Sequence, residues 1–343
     1  MNTAAISDTP HALPAAVPVW RQALLPLLLL AALAALPGLL SSWLHDLVLR
    51  IVIYSIFALS LELLVGMSGL VSLGHAAFFG IAAYVTVLAS PEYEAGNPFT
   101  LIGYSMLAAG LYALAVGALS LRTRGVYFIM VTLAFAQMAY FVFHDTKIGG
   151  GSDGIFLNVR PVLELGGKTL VDLGNAPHLY YVSIALLAFT YGLLALLRRS
   201  RFGHALAGIR VNEQRMRAVG FNTYLCKLAA FVLAALLAAL AGFLMAVRNG
   251  GVNPEFLSWH ESGAVLLMII LGGLGSLRGA VLGAIAFVLL KEFFSSAALL
   301  GALAERWQLT LGLTMILFVA LLPDGLIGAG RRLKQVLGKR GEA

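Results

Sequence analysis

The sequence predicts an all-α polytopic membrane protein with about ten transmembrane segments, some of them broken or re-entrant helices. Two features of composition support this prediction: 60% of the 343 residues are hydrophobic and only 11% are charged, against roughly 25% charged in an average soluble domain. The third is the recurrence of apolar stretches of about 20 residues, the length that crosses a bilayer as a helix. A mean hydropathy of +0.91 excludes an ordinary soluble protein, a disordered chain and a secreted disulfide-linked scaffold. The single cysteine, Cys226, excludes an intrachain disulfide and a multi-cysteine metal site.

Ten apolar segments follow one another along the chain, and two of the breaks between them are rich in glycine. Residues 66–69 leave almost no loop between the second and third segments, which predicts a tight turn or a broken helix buried among its neighbours. The eighth and ninth segments are short for full crossings and are separated by residues 272–276, so they form two short tilted helices or a re-entrant pair. The predicted segments are 22–40, 48–66, 70–90, 100–121, 125–144, 179–197, 228–247, 263–275, 279–294 and 308–323.

The distribution of Lys and Arg predicts that both termini are cytoplasmic. With ten crossings, sixteen of the 23 basic residues fall on one side of the membrane, and the bias follows the positive-inside rule. Those sixteen lie at Arg21, within 122–124, within 198–227, at Arg278 and within 324–343.

This orientation divides the chain into a cytoplasmic leader 1–21, a transmembrane domain 22–323 and a basic cytoplasmic tail 324–343. A cleaved signal peptide is the alternative for the first segment, but the leader lacks a basic n-region, which favours an uncleaved helix. Two hydrophilic stretches remain: an external loop 145–178 and a basic inner loop 198–227. The inner loop is longer than most helix–helix connections, and a connection of this length calls for a functional explanation.

The inner loop carries a short amphipathic helical pattern. Leu206, Ile209, Met216 and Val219 recur at helical spacing, with charged residues on the other faces. Asn212 is a candidate cap for a second short helix, and Gly220 is a candidate stop. Such a helix either lies on anionic lipid through its arginines or fits a groove on a partner.

Polar groups inside the predicted spans are candidates for function, each with a simpler packing alternative. Glycines in spans allow close helix packing, and interrupted helices also expose backbone groups that bind a substrate. His75 either makes an interhelical hydrogen bond or lines a transport path, and Ser72 has the same two interpretations. A carboxylate in a span is costly and is by default a functional candidate, and Glu62 is one. Arg50 lies too far along the helix to be an easy partner for it.

Several chemistries are not supported by the sequence. It contains no phosphate-binding loop of the Gly-x-x-x-x-Gly-Lys-Ser/Thr type and no His-Glu-x-x-His motif, and no Gly-x-Ser-x-Gly elbow. His75 has no second ligand at metal-binding spacing. We therefore expect no catalytic residue, no metal site and no ATP hydrolysis by this chain itself.

Five motifs in chain order carry a resemblance to a known family. They are the third-segment run 69–84 (GLVSLGHAAFFGIAAY), the run 124–128 (RGVYF) with Thr132, Leu133 and Ala134, the turn 150–154 (GGSDG), the loop Glu213 with Ala218 and Gly220, and the run 272–279 (GGLGSLRG). Together they resemble the LivM-type permease subunits of branched-chain amino-acid ABC importers. The chain departs from that family at Glu62, where relatives carry a small polar residue.

The resemblance implies a multi-pass subunit of the bacterial inner membrane that moves its substrate by alternating access. It implies four kinds of partner besides lipid: a second homologous permease, two cytoplasmic ATPases that hold ATP and Mg²⁺, and an external solute-binding protein. No cofactor is expected on this chain, and no nucleic acid. The implied ATPase-coupling residues are Arg210, Glu213, Arg217, Ala218 and Gly220. The candidate translocation path consists of Gly69, Ser72, Gly74, His75, Phe78, Tyr127, Thr132, Gly272 and Gly273.

Three alternatives to a branched-chain amino-acid permease remain at this point. A weakly charged path suits leucine, isoleucine or valine, and it suits urea or a short-chain amide as well. An ion-coupled secondary transporter predicts inverted repeats and intramembrane ionisable clusters, and only the isolated Glu62 points that way. A protein that merely anchors a complex leaves the ordered motifs and the long inner loop unexplained.

Overall fold

The computed structural model describes residues 41–165, 168–296 and 300–328. The predicted first span 22–40, the leader 1–21 and residues 329–343 of the predicted tail lie outside the described residues.

The first half of the described chain consists of four helices. The first, α1, is capped by the Ser41 hydroxyl and continues without interruption into a π-helical stretch, Leu63–Ser68. The third, α3, begins with Pro98 behind the cap residue Asn97, a position where the missing proline N–H costs nothing. The four helices are α1 (Ser42–Glu62), α2 (His75–Leu88), α3 (Pro98–Ser120) and α4 (Val126–Asp145).

The predicted external loop contains short 3₁₀ turns and small β-ribbons. Strand β1 (Ile155–Phe156) pairs antiparallel with β4 (Gly251–Val252), which lies far along the chain. Strands β2 (Val162–Leu165) and β3 (Lys168–Asp172) form a second antiparallel pair with an irregularity between Leu163 and Glu164. The fold remains all-α in its spanning part, and these ribbons tie the segments at one end of the bundle together.

The second half consists of longer helices and one sharply bent pair. Helix α9 (Trp259–Gly272) and helix α10 (Leu277–Ser295) follow each other across residues 273–276 with a bend of 117°. The helices are α5 (Ala176–Arg199), α6 (Arg201–Val211), α7 (Glu213–Ala218), α8 (Thr223–Asn249), α9 (Trp259–Gly272), α10 (Leu277–Ser295) and α11 (Trp307–Leu321). Short 3₁₀ segments, Pro254–Leu257 and Gly301–Arg306, precede α9 and α11.

Six described helices are long and apolar enough to cross a membrane, and the bent pair makes up to seven. Helix α2 has only 14 residues, about 21 Å of rise against a hydrocarbon core of about 30 Å. The predicted third segment 70–90 is therefore wrong at its start, because the helix begins only at His75. Residues 69–74 are non-helical: Gly69 has φ +73° and the Ser72 hydroxyl accepts the Gly74 N–H at 3.2 Å. The count of ten spans stays a prediction.

The centre of the bundle is built from α1, α2 and α8. These helices bury most of their surface, whereas α4 and α11 expose most of theirs. Small residues allow the close approach: a Cβ placed on Gly242 of α8 would overlap the Phe79 carbonyl of α2. Such contacts between helix backbones are the usual source of helix association in lipid.

The ends of the helices gather into two groups, one at each end of the bundle. Helix α1 begins beside the end of α8, where Asp46 and Arg248 form a bidentate ion pair at 2.5 and 2.9 Å. It ends beside the inner loop, where the Arg210 guanidinium donates to the Gly66 carbonyl. We call these the Arg248 end and the Arg210 end. The β1–β4 ribbon lies at the Arg248 end, and the turn of the α9–α10 pair lies at the Arg210 end.

Candidate functional site

The basic inner loop folds into two short helices at the Arg210 end. Helix α7 is capped by Asn212, whose Oδ1 accepts the Arg215 N–H at 2.9 Å, which confirms the predicted cap. Leu206 and Ile209 are buried, as their helical spacing predicts. Val219 is 71% exposed, so its prediction as part of the same apolar face is wrong. Helix α7 ends at Ala218 and buries none of its residues, so Val219 follows it as an exposed cap residue.

Glu213 anchors the inner loop to the start of α8. Its Oε1 accepts from Lys227 Nζ at 2.9 Å, from Thr223 Oγ1 at 3.0 Å and from Arg217 Nη2 at 2.5 Å. Burial by itself raises the pKa of Glu213, but the hydrogen bonds and charges of these partners outweigh it and lower the pKa from 4.5 to about 2. The carboxylate is therefore ionised at neutral pH and holds the two helices of the loop against α8.

The remaining predicted coupling residues lie on the outer surface of this cluster. Ala218 and Gly220 are exposed at the end of α7, and the Gly220 N–H donates to the Arg217 carbonyl at 2.9 Å. Arg217 also donates from Nε to the Thr223 hydroxyl at 2.9 Å. The loop thus has an inward side, fixed by ion pairs, and an outward side whose residues are exposed.

Arg210 connects the inner loop to the broken end of α1. The last carbonyl groups of a helix have no partner in the helix itself, and they attract cations. Arg210 supplies one such partner by donating to the Gly66 carbonyl within the π-helical stretch. The aliphatic part of Arg210 packs on Gly69, where a Cβ would lie 3.1 Å from Arg210 Cγ. Gly69 has positive φ besides, so no other residue fits this position without strain.

Glu62 lies one turn before Gly66 and is 1% exposed. Its carboxylate covers Gly66, where an added Cβ would overlap it. It lies beside the backbone of Gly275 and Ser276 and near the charge of Arg210. Arg50 is not its partner, as predicted: Arg50 pairs with Asp46 and Glu292 at the Arg248 end.

The second broken segment, residues 273–276, meets the first at the same place. Gly272 lies against the Gly279 carbonyl, so that α9 and α10 approach as closely as backbone allows. Ser276 caps α10 by accepting the Gly279 N–H at 3.3 Å. The chain after α11 returns here as well, because Gly273 contacts the Asp324 carbonyl and Gly325.

A cavity of about 270 Å³ opens beside this junction. It lies between the end of α1, the turn before α4 and the inner loop. Arg124, Arg210 and Lys227 face it with one carboxylate, Glu213, so its lining is positively charged. Ser68, Gly69, Thr123, Gly125 and Phe128 are among the other lining residues.

The structure does not bring the predicted path residues into one cavity. His75 and Phe78 lie in the packed centre: His75 Nε2 shares a hydrogen bond with Ser60 Oγ at 2.8 Å, and its ring stacks on Phe57. Phe78 packs edge-on against Phe231. Ser72 makes its hydrogen bond locally rather than between helices. Of the predicted path residues, Gly69 is the one that lines the 270 Å³ cavity.

The other predicted path residues take different positions. Gly74 packs on the backbone of Thr132, which places α4 against the start of α2. Tyr127 is 74% exposed on the outer face of α4. Gly272 and Gly273 belong to the junction with α11. The part of the chain that the structure describes contains no group of three or more His, Cys, Asp or Glu side chains suited to a metal.

Sequence reasoning missed the partners that hold these residues. Lys227 and Thr223 were available from the sequence as a cation and a hydroxyl at the start of a span, but nothing in their spacing points to Glu213. Tyr54 and Glu261 were missed too; the Tyr54 hydroxyl donates to Glu261 at 3.1 Å between α1 and α9. Their signal was the rarity of carboxylates in apolar helices.

These features define an integral membrane protein of the polytopic helical class, with broken helices joined to a folded loop. The sequence profile described as "Branched-chain amino acid transport system / permease component" matches residues 43–320. The chain therefore belongs to the family of branched-chain amino-acid transport permeases.

Relatives of known name agree with this family. The chain is 31% identical over 326 residues to the high-affinity branched-chain amino acid transport system permease protein LivM of Escherichia coli, covering 90% of this chain and 75% of that protein. It is 31% identical to LivM of Salmonella typhimurium over 94% of this chain and 78% of that protein. It is also 22% identical to Escherichia coli LivH, a permease protein of the same named system, over 80% of this chain and 91% of LivH. No solved structure matches the chain.

Proposed function

We propose that this chain is a transmembrane subunit of an ABC importer that carries leucine, isoleucine and valine by ATP-driven alternating access. Family membership supports the transport class. The mechanism is inferred from the inner loop. One side of this loop contacts the two broken helices, and the other side exposes apolar residues. A loop of this kind can pass a movement imposed from outside to the helices that it contacts.

The charge of the two ends supports an orientation with the Arg210 end in the cytoplasm of a bacterial inner membrane. Arg198, Arg199, Arg201 and the rest of the inner loop's cations gather there, which the positive-inside rule assigns to the cytoplasm. The Arg248 end balances its cations with Asp46 and Glu292. With ten spans, both termini are cytoplasmic.

The outward side of the inner loop is the proposed docking surface for an ATPase subunit. Val211 is 84% exposed and Val219 is 71% exposed, although both are apolar. Beside Val211, a recess of about 390 Å³ is lined by Ala207, Gly208, Asn212, Arg215 and Met216. An exposed valine beside a recess suits a partner groove better than water. ATP and Mg²⁺ belong to that partner.

Further partners follow from the other exposed surfaces. The LivM and LivH relatives carry names from one transport system, so a second, homologous permease is the proposed neighbour. Its contact face includes Tyr127 on α4, and the translocation path runs between the two permeases. This arrangement accounts for the packed interior around His75. The ribbons of the 145–178 loop, at the Arg248 end, are the proposed contact for an external solute-binding protein.

Reconstitution of the complete importer tests this function. The chain is placed in proteoliposomes with a second permease, two ATPases and the binding protein encoded beside it, and uptake of labelled leucine is measured. We expect uptake that requires both ATP and binding protein and that isoleucine and valine inhibit. Uptake of urea or acetamide instead of leucine would replace the proposed substrate and leave the ATP-driven mechanism in place. Uptake by the chain alone, driven by an ion gradient, would contradict the ABC mechanism.

Val211→Asp tests the docking surface. A charge on this exposed valine should prevent the ATPases from co-purifying with the permease and should abolish ATP-dependent uptake, while the amount of chain in the membrane stays the same. Phe156→Asp is the matched control for co-purification, because Phe156 is an exposed apolar residue at the opposite end. Its uptake is not compared, since the loop that carries Phe156 is the proposed contact for the binding protein. ATPase binding that survives Val211→Asp would place the docking surface elsewhere.

A further inference from the structure

The inward side of the inner loop ends on a pair of charges that joins two helix breaks. Arg210 belongs to the loop and donates to Gly66, in the π-helical end of α1. Glu62 belongs to α1, and its carboxylate covers Gly66 and lies beside the backbone of Gly275 and Ser276 at the second break. Arg210 reaches that break as well, because a Cβ placed on Gly275 would lie 3.6 Å from Arg210 Nη1. Glu62 and Arg210 are 148 positions apart in the sequence, yet the fold brings both onto Gly66.

Electrostatics explains why a carboxylate is held at such an unfavourable place. The end of a helix carries partial negative charge, so a buried anion near the end of α1 is destabilising by itself. The start of a helix carries partial positive charge and free N–H groups, which bind anions. Glu62 therefore needs the start of α10 and the charge of Arg210 beside it. One of its oxygens, Oε2, is buried and has no hydrogen-bond partner among the described residues.

The two segments beside this pair depart from regular α-helix. A π-helical stretch is an alternative hydrogen-bond register of a helix and is common at functional sites. Residues 273–276 turn the chain by 117° with Gly273 and Gly275 at positive φ. Hinges of this kind absorb the backbone changes of a moving helix.

We propose that Glu62 and Arg210 form a joint that transmits displacement of the inner loop to both helix breaks at once. Arg210 acts on the end of α1, and Glu62 ties that end to the start of α10. Both are positioning residues, and neither contacts the substrate. This inference rests on the proposed function, because it assigns the route by which ATPase movement reaches the spans.

The test compares Glu62→Gln, Arg210→Gln and the double variant in the reconstituted importer. Leucine transported per ATP hydrolysed should fall about tenfold in each single variant, since Arg210→Gln removes a charged hydrogen bond and Glu62→Gln removes the negative charge beside it. ATPase subunits should still co-purify, because the docking surface lies on the other side of the loop. The double variant should fall no further than the worse single variant, because both changes disable the same joint.

A reporter cysteine distinguishes transmission from general damage. Thr123→Cys in a Cys226→Ser background places a thiol beside the 270 Å³ cavity. Its labelling rate by a membrane-impermeant maleimide should change when ATP is trapped on the ATPases. Glu62→Gln should remove that change while leaving the nucleotide-free rate as it was. Arg201→Gln, an exposed arginine of the same loop, should leave both the rates and the transport ratio unchanged.

The outcomes separate this inference from the function on which it rests. A wild-type complex without ATP-driven uptake would refute the proposed function. A wild-type complex that couples normally, with Glu62→Gln and Arg210→Gln at the wild-type ratio, would overturn the joint alone. Independent losses that multiply in the double variant would overturn it too. If Glu62→Gln does not reach the membrane, Glu62→Asp replaces it in the comparison with Arg210→Gln. The shorter Asp side chain keeps the negative charge but places the carboxylate too far from the second helix break.

Discussion

Single residues at the Arg210 end show how charged groups, whose burial is unfavourable, are accommodated in an apolar chain. Glu213, Glu62 and Arg210 each have partners from a different segment: α8, the start of α10 and the end of α1. Surface ion pairs contribute little to stability, but these three groups are wholly or partly shielded by the chain. Each therefore fixes the position of one element relative to another.

The depressed pKa of Glu213 gives a prediction about stability at low pH. A carboxylate whose pKa falls from 4.5 to about 2 on folding contributes stability that is complete above about pH 4.5 and is lost as the pH falls toward 2. We expect Glu213→Gln to destabilise the purified chain by about 1 kcal/mol at pH 7, with the difference from wild type shrinking below pH 4.5. Thermal unfolding in detergent between pH 7 and pH 3 measures this.

The control for that experiment is Glu164→Gln on the exposed surface of β2. It should follow the wild-type curve at every pH. A Glu213→Gln difference that stayed constant down to pH 3 would show that the Lys227 and Arg217 contacts do not depend on the charge of Glu213.

Elements are positioned mainly by glycine and other small residues. Helix α8 touches α2 where Gly242 meets the Phe79 carbonyl, and α9 touches α10 at Gly272 and Gly283. Without a hydrophobic force between helices in lipid, packing of this closeness provides much of the association energy. The glycines therefore set which helices are neighbours as well as where the chain bends.

Gly242→Val tests the contribution of this close contact. The added side chain would push α8 away from α2, and we expect a loss of about 3 kcal/mol in the free energy of unfolding. Gly192→Val in α5 is the matched control, because nothing lies within 4 Å of a Cβ there. Unfolding of the two variants in detergent by titration with a denaturing surfactant gives the comparison. Equal stability would mean that α8 and α2 can move apart without loss.

At the scale of the whole molecule, the two ends differ in charge and in construction. The Arg248 end is clamped by ion pairs between α1 and the ends of α8 and α10, and by the β1–β4 ribbon. The Arg210 end carries surplus positive charge and gathers the chain breaks. A bundle clamped at one end and hinged at the other suits a transporter that opens toward the hinged side.

Cysteine labelling at the two ends tests the orientation. In a Cys226→Ser background, Ser152→Cys should react with an impermeant maleimide in intact spheroplasts, and Gln214→Cys should react only in inverted vesicles. Both positions are exposed, and Ser152 is preferable to its neighbour Gly150, whose positive φ disfavours a side chain. The reverse pattern of labelling would invert the topology.

The sequence by itself determined the class, the main helices and the places where they break. Hydrophobic length and low charge are properties of the chain, so the span around 48–66 and the glycine breaks near 66–69 and 272–276 could be located without a structure. The Asn212 cap could be predicted as well, because it involves only Asn212 and the first residues of the helix that follows it.

Only the tertiary structure decided which segments meet. Arg210 and Gly66 are 144 residues apart, and no periodicity links them. The spanning helices are apolar on all sides, so their sequences do not distinguish a face packed on protein from a face toward lipid or a partner. That is why Tyr127 and His75 appeared equivalent as path residues, although one is exposed and the other buried. Contacts such as Arg210 with Gly66, and Glu62 with the start of α10, depend on the rotation and order of whole helices, which only their packing sets.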